Sequence, residues 1–205
     1  ARSVAIGDFD GDGWRDIAFA DGSRGAVWMN DGTGAFNAQP DRTLSFTCYY
    51  AEAGDLNGDT YDDLLLAYSN ANVYYGGPQG LSATEAVTLA GYYPSVDDVD
   101  LDGNDDVLTY QSGSGINVFL GKASGIDAVA DYTLSGAGAL YYPSSGDVNG
   151  DGYVDILGSQ YSGGYKIVAF EGGSDGWRSS RDHTVITGTY SRTTIADIDK
   201  DGIED

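Results

Sequence analysis

The sequence predicts an all-β fold built of four-stranded antiparallel blades, four of them complete and the opening of a fifth. Three observations carry this. An acidic nine-residue pattern occurs five times, as DFDGDGWRD from position 8, DLNGDTYDD from 55, DVDLDGNDD from 98, DVNGDGYVD from 147 and DIDKDGIED from 197. Its first residues lie 47, 43, 49 and 50 positions apart, and a period in the forties marks a repeat architecture. Each period also holds four short runs of strand-forming residues between glycine-rich turns, the make-up of a propeller blade. No stretch carries the periodicity of a helix of ten residues.

In the first repeat the elements follow in order: a strand at 4–7, the acidic loop at 8–16, a strand at 17–20, a strand at 26–29, a turn at 30–34 and a more polar strand around 42–46. The first strand is small just before the loop in four of the five repeats (Gly7, Ala53-Gly54, Ser144-Ser145-Gly146, Ala196), which suits the innermost strand, where neighbours crowd the axis. The second strand begins directly after the ninth loop residue with Ile17, Leu64, Val107 or Ile156. Its near-continuous apolar character fits a sheet covered on both faces. The third strands, at 27–29, 73–75, 118–120 and 167–170, are β-branched and aromatic. After them come glycine turns that close on an apolar residue: GGPQGL at 76–81, GKASGI at 121–126 and GGSDGW at 172–177. These boundaries place the blades at 1–48, 49–91, 92–140 and 141–189, with 190–205 supplying the first strand and loop of a fifth.

Within each loop, acidic or amide side chains stand at the first, third, fifth and ninth positions: Asp8, Asp10, Asp12 and Asp16; Asp55, Asn57, Asp59 and Asp63; Asp98, Asp100, Asp102 and Asp106; Asp147, Asn149, Asp151 and Asp155; Asp197, Asp199, Asp201 and Asp205. Oxygens on alternate residues of a tight loop can converge on one point, and a glycine such as Gly152 lets the backbone turn beneath them with positive φ. A hard cation fits that point. Calcium accepts six to eight oxygens in loose geometry, whereas magnesium demands a strict octahedron and keeps its waters, so up to five calcium ions are expected. An EF-hand is excluded, because Phe19, Leu66, Thr109 and Gly158 occupy its twelfth position. Thr60 replaces the sixth-position glycine of the second loop, which predicts strain there and a weaker site.

The succession of strand, DxDGDGxxD loop, strand and YYGGPQGL resembles the FG-GAP repeat, the blade of integrin alpha-subunit propellers and of many microbial surface proteins. The resemblance covers the whole chain. It implies a propeller of about seven blades, of which these residues supply four and a fragment, completed by a longer chain or by an assembly of copies. It also implies calcium ligation through the first, third, fifth and ninth side chains and the seventh carbonyl. The seventh residues here are Trp14, Tyr61, Asn104, Tyr153 and Ile203, a varied set such as a backbone ligand allows.

Charge narrows the function. The net charge is −22, and the five loops hold 21 of the 32 acidic residues and 2 of the 10 basic ones, so the acid is concentrated in the sites. Even with five calcium ions bound the surface stays anionic, which argues against nucleic acid or an anionic membrane as partner. No apolar run is long enough to span a bilayer. Cys48 is the only cysteine, so an intrachain disulfide and a thiolate cluster are excluded. His183 has no triad context and no catalytic motif occurs, so no enzyme is expected. Open acidic loops suit millimolar calcium and hence an extracellular setting.

The 16 tyrosines form the other anomaly. Three pairs, Tyr49-Tyr50, Tyr92-Tyr93 and Tyr141-Tyr142, recur six and five residues before the first loop ligand. The resemblance places them at the entry to the innermost strand, opposite the loops, where they either pack between blades or offer aromatic platforms to sugars or partner side chains. The expected function is an extracellular calcium-binding module for adhesion, protein interaction or surface and filament assembly. A lectin binding glycans between blades and an accessory module of a secreted enzyme are the alternatives.

Overall fold

The computed structural model describes residues 2–136, 139–161, 164–178, 183–188 and 195. They form four four-stranded antiparallel sheets. The first comprises β1 (Ser3–Gly7), β2 (Asp16–Ala20), β3 (Gly25–Trp28) and β4 (Arg42–Leu44). The second comprises β5 (Tyr50–Gly54), β6 (Asp63–Ala67), β7 (Asn70–Tyr74) and β8 (Val87–Ala90), and the third β9 (Tyr92–Asp97), β10 (Asp106–Gln111), β11 (Gly115–Phe119) and β12 (Tyr132–Leu134). The fourth is β13 (Ala139–Gly146), β14 (Asp155–Tyr161), β15 (Tyr165–Phe170) and β16 (His183–Gly188). Within each sheet the strands lie in chain order. The first strands also contact one another in chain order, β1 against β5, β5 against β9 and β9 against β13.

The sheets stack face to face because side chains alternate along each strand. Ala5, Ala18, Ala20 and Val27 of the first sheet meet Ala51, Leu64, Leu66 and Tyr74 of the second. The opposite face of the second sheet, with Leu65, Ala67, Val73 and Leu89, meets Val107 and Phe119 of the third. Leu108, Ile116 and Val118 on the far side of the third meet Leu140, Ile156 and Phe170 of the fourth. The middle strands β6, β10 and β14 are therefore buried on both faces. β2 differs: Ala18 and Ala20 are buried while Ile17 and Phe19 stay half-exposed. With Val4 (47% exposed) and Ile6 (59%) they form the face of the first sheet that turns away from the second. By register their counterparts in the second sheet are Leu64, Leu66, Ala51 and Ala53, which pack into the interface with the first.

Two strand details depart from the sequence reading. β4 stops at Leu44 rather than Phe46, because the Phe46 N–H turns back to the Leu44 carbonyl at 2.9 Å, a three-residue turn that ends the pairing. β9 and β13 each carry a bulge. Tyr93-Pro94 stand opposite Thr109 alone, and Tyr142-Pro143 opposite Gly158 alone. Proline has no N–H for the ladder, so it is tolerated where pairing is already interrupted. β5 has Tyr50-Ala51 in this place and pairs without interruption. The fifth acidic loop, with Asp197, Asp199, Asp201, Ile203 and Asp205, lies outside the described residues.

Candidate metal centres

Each described loop connects the first two strands of its sheet and is shaped by its own side chains. The first-position carboxylate bends over the turn and accepts the sixth-position N–H, from Gly13 to Asp8 at 2.9 Å, Thr60 to Asp55 at 2.8 Å, Gly103 to Asp98 at 3.0 Å and Gly152 to Asp147 at 2.8 Å. The fifth-position carboxylate accepts the seventh N–H, as with Trp14 on Asp12 and Tyr153 on Asp151. These Asx turns need no ion to form. They require left-handed backbone at the sixth residue, and Thr60 adopts it with φ 75°. They require it at the fourth as well, where Gly11, Gly58 and Gly150 supply it and Leu101 is forced to φ 63°. The sequence reading placed strain in the second loop alone. The third loop shares it, through a bulky residue in a region that only glycine enters freely.

The ninth-position aspartate does more than face the loop. Asp16, Asp63, Asp106 and Asp155 are all buried. In each, one carboxylate oxygen accepts the N–H of the second loop residue, Phe9 at 3.0 Å, Leu56 at 2.9 Å, Val99 at 2.8 Å or Val148 at 3.2 Å. The other accepts the N–H that follows the third strand, from Asn30 at 2.7 Å, Gly76 at 2.8 Å, Gly121 at 2.7 Å or Gly172 at 2.9 Å. One side chain thus ties the loop to the turn after the third strand. Burial pushes its acid up, to about 6 at Asp16 and about 7 at Asp63 and Asp106, against the lowering effect of the two amides; Asp155 shifts the same way. Burial first, and neighbouring acids after it, also raise Asp10 and Asp100.

The convergence needed for a metal is present in the first and third loops. Carboxylate oxygens of Asp8, Asp10 and Asp16 lie within 4.8 Å of one another, as do those of Asp98, Asp100 and Asp106. Oxygens on opposite sides of an ion at a calcium–oxygen distance of about 2.4 Å stand about 4.8 Å apart, so each triplet can close on one ion. The fifth residues Asp12 and Asp102 stand outside these triplets, turned toward the seventh N–H. In the second and fourth loops the third residue is an amide, Asn57 or Asn149, and its Oδ1 accepts the fifth N–H at 3.0 and 2.9 Å. The seventh side chains lie on the rim: Trp14 and Tyr153 are exposed, and Tyr61 and Asn104 half-buried.

The tyrosine pairs collect at the other end of the inner strands. Tyr93 is the hub, with ring centroids 5.3 Å from Tyr50, 4.9 Å from Tyr92, 6.1 Å from Tyr141 and 4.3 Å from Tyr142. Tyr92 and Tyr141 also meet the buried Tyr110. Tyr49 stands apart, packed on Tyr68 at 4.5 Å, with the Arg2 guanidinium 3.9 Å over its ring. The two bulges put Tyr93 and Tyr142 at φ 57° and 51°, a conformation bulky residues rarely hold. A cavity of about 460 Å³ opens beside them, lined by Tyr50, Tyr93 and Tyr142 with Glu52 and Asp97.

A family profile for the FG-GAP-like repeat matches residues 8–92 and 98–158. A comparison with curated proteins found no match. Among solved structures, the chain is similar to the V. cholerae biofilm matrix protein Bap1, at 17% identity and a TM-score of 0.43; the alignment covers 89% of this chain and 38% of that one. The chain therefore spans under two fifths of that protein's length.

The two roles of the loop acids separate experimentally. Asp63→Ala leaves the Leu56 and Gly76 amides without their acceptor and is expected to destabilise by about 2–4 kcal/mol in urea melts even in the presence of a chelator. Asp59→Ala, at an exposed position, is expected to change the same melts by under about 1 kcal/mol. Proton linkage gives a second expectation. Because the ninth acids hold protons more tightly folded than unfolded, the metal-free protein is most stable near pH 4 and loses stability as the pH rises through about 6 to 7. Thermal melts in EGTA from pH 4 to 8 test this; a midpoint that rises with pH contradicts it.

Proposed function

Starting from the fact that this chain belongs to the FG-GAP-like repeat family, we propose that it is a non-catalytic, calcium-binding propeller module that works outside the cell in adhesion, protein interaction or surface assembly. The observation that carries the calcium reading is the convergence of the first, third and ninth carboxylates within 4.8 Å in the first and third loops. Metal-free, these oxygens repel one another, and the buried ninth carboxylate lacks a counter-charge. The Asp8, Asp10 and Asp16 side chains would hold the first ion and Asp98, Asp100 and Asp106 the third. The second and fourth loops would use Asn57 and Asn149 in place of one carboxylate. A bound ion supplies the positive charge that lets the ninth acid stay ionised at neutral pH.

The extracellular setting is supported by the exposed, flexible-coordination loops, which suit calcium at millimolar concentration. The single cysteine, Cys48, is buried and its thiol pushed up to about 11, so it needs no protection from an oxidising medium. Among the described residues no helix is long and apolar enough to cross a membrane. The open face bearing Val4 and Ile6 favours a neighbour sheet, from further repeats of a longer chain or from another copy. The tyrosine cluster favours a second reading, a glycan site, because half-exposed aromatic rings beside carboxylates suit sugar faces and hydroxyls. Binding to any glycan on an array in saturating calcium would support it; a blank array would remove it.

Calcium is expected to govern stability. At about tenfold over its dissociation constant each ion contributes about 1.4 kcal/mol, so four or five sites supply about 6–7 kcal/mol, comparable to a domain's whole margin. Calorimetric melting in calcium against EGTA measures this. An unchanged midpoint would rule the structural-ion reading out.

A further inference from the structure

We infer that Asp62 and Asp105, eighth in their loops and outside the expected ligand sets, are positioning residues that hold the first ligand of the preceding loop and make neighbouring metal sites bind together. The inference rests on the calcium reading above. The Asp62 carboxylate accepts the Asp8 N–H at 2.7 Å, and the Asp62 N–H donates back to the Asp8 carbonyl at 2.9 Å. Asp105 and Asp55 repeat the pair at 2.8 and 2.8 Å. Each link joins the residue that leads one loop to the residue just before the buried ninth aspartate of the next.

The surroundings are built for this link. A Cβ on Gly7 would lie 2.9 Å from the Asp62 Cβ and 3.1 Å from its Oδ2, and one on Gly54 would collide with the Asp105 carboxylate. The sequence follows the same rule. Glycine at 7, 54 and 146 precedes a loop whose successor has an acid in eighth place, namely Asp62, Asp105 and Glu204. Where Asp97 replaces that glycine, the next eighth residue is Val154, which has no side-chain acceptor. Glu204 lies outside the described residues. A second contact runs alongside: the seventh side chain of one loop covers the fourth-position glycine of the loop before it, Tyr61 over Gly11 and Asn104 over Gly58. The third loop has Leu101 in that place.

An ion in the second loop pulls on the Asp63 carboxylate, which two amides already hold, and through the chain on the adjoining Asp62. Asp62 in turn fixes the amide of Asp8, whose carboxylate the first loop offers to its own ion. An adjustment made by one ion through this link need not be repeated by its neighbour, so binding is cooperative without a change of fold. Coupling of this kind is reciprocal. Loops one to three therefore form a linked set, and the fourth is joined to the third by other contacts.

Trp14, exposed at the rim of the first loop, allows that site to be read with terbium, a calcium surrogate whose emission a nearby indole sensitises. Disabling the second loop by Asn57→Ala is expected to weaken Trp14-sensitised terbium binding by at least about fivefold. In an Asp62→Ala background Asn57→Ala should have no further effect. Asp62→Asn, which keeps an acceptor oxygen but loses the charge, should restore the coupling. If Asp62→Ala does not fold, Asp97→Gly with Val154→Asp provides the converse test. That pair of changes should steepen the calorimetric calcium isotherm by linking the third and fourth loops, and an isotherm no steeper than that of the unaltered chain counts against the link. Terbium binding that ignores Asn57→Ala, or responds to it equally with Ala at position 62, overturns the coupling alone. No sensitised emission from the unaltered chain overturns the metal reading and the coupling with it.

Discussion

The carboxylate at the ninth loop position sits where water cannot reach it and accepts two backbone N–H groups from opposite directions. One belongs to the loop's second residue and the other follows the third strand, as with Phe9 and Asn30 on Asp16. Without it both amides would be buried and unpaired, each at a penalty of about 1–3 kcal/mol. The bond to the second residue also directs that side chain inward. Phe9, Leu56 and Val99 are almost fully buried and belong to the cores between sheets. A polar loop at the edge of each sheet is therefore anchored by one acid and plugged by one hydrophobe, and the two act through adjacent atoms. This arrangement explains why the ninth residue is Asp in every copy. A shorter side chain could not reach both amides, and an amide side chain would turn a donor toward one of them.

The same residue sets the electrostatic condition of the loop. Its acid is raised by burial, while the first and third acids stand within 4.8 Å of it in two of the loops. The backbone leaves little room for relaxation, because the Asx turns and the buried struts fix where each carboxylate points. Protonation or a cation are the two ways to relieve such a site. At neutral pH the cation is the effective one, and this connects a folding device to the proposed ion binding.

Much of this was legible in the sequence, and the rest was hidden for definable reasons. The five loops, the four strand runs per period and the glycine turns are signals of local chemistry, and they placed β2, β6, β10 and β14 directly after their loops. The role of Asp62 and Asp105 was hidden because an acid among acids has no local signature; only the pairing with Gly7 and Gly54 in the preceding repeat reveals it. The left-handed fourth position was masked by Gly11, Gly58 and Gly150, which could have been spacers, until Leu101 was found in the same conformation. The Tyr-Pro bulges were missed because period-2 alternation does not reveal an inserted residue. The two bulged strands carry Pro94 and Pro143 where β5 has Ala51, a difference that could have signalled them.

The contact between the third and fourth sheets departs from the other two at three places: Asp97 for glycine, Leu101 for glycine and Val154 for an acid. It holds by different means. The Ser145 hydroxyl donates to Asp97 at 2.7 Å across the inner strands. The Trp177 indole donates to the Val154 carbonyl at 2.8 Å and meets Tyr132 edge to face, ring centroids 5.5 Å apart at 85°. A hydroxyl–carboxylate bond and an aromatic contact thus stand at this junction in place of the carboxylate–amide link of the other two. If the loops hold ions as proposed, the two kinds of junction respond differently, since a carboxylate–amide bond beside the loop acids depends on charge, whereas the contact of the buried Trp177 indole with the half-buried Tyr132 ring does not. On the proposed calcium reading, the carboxylate–amide links place the first three sheets in one set, and the fourth joins them by contacts that do not run through a loop acid in eighth place.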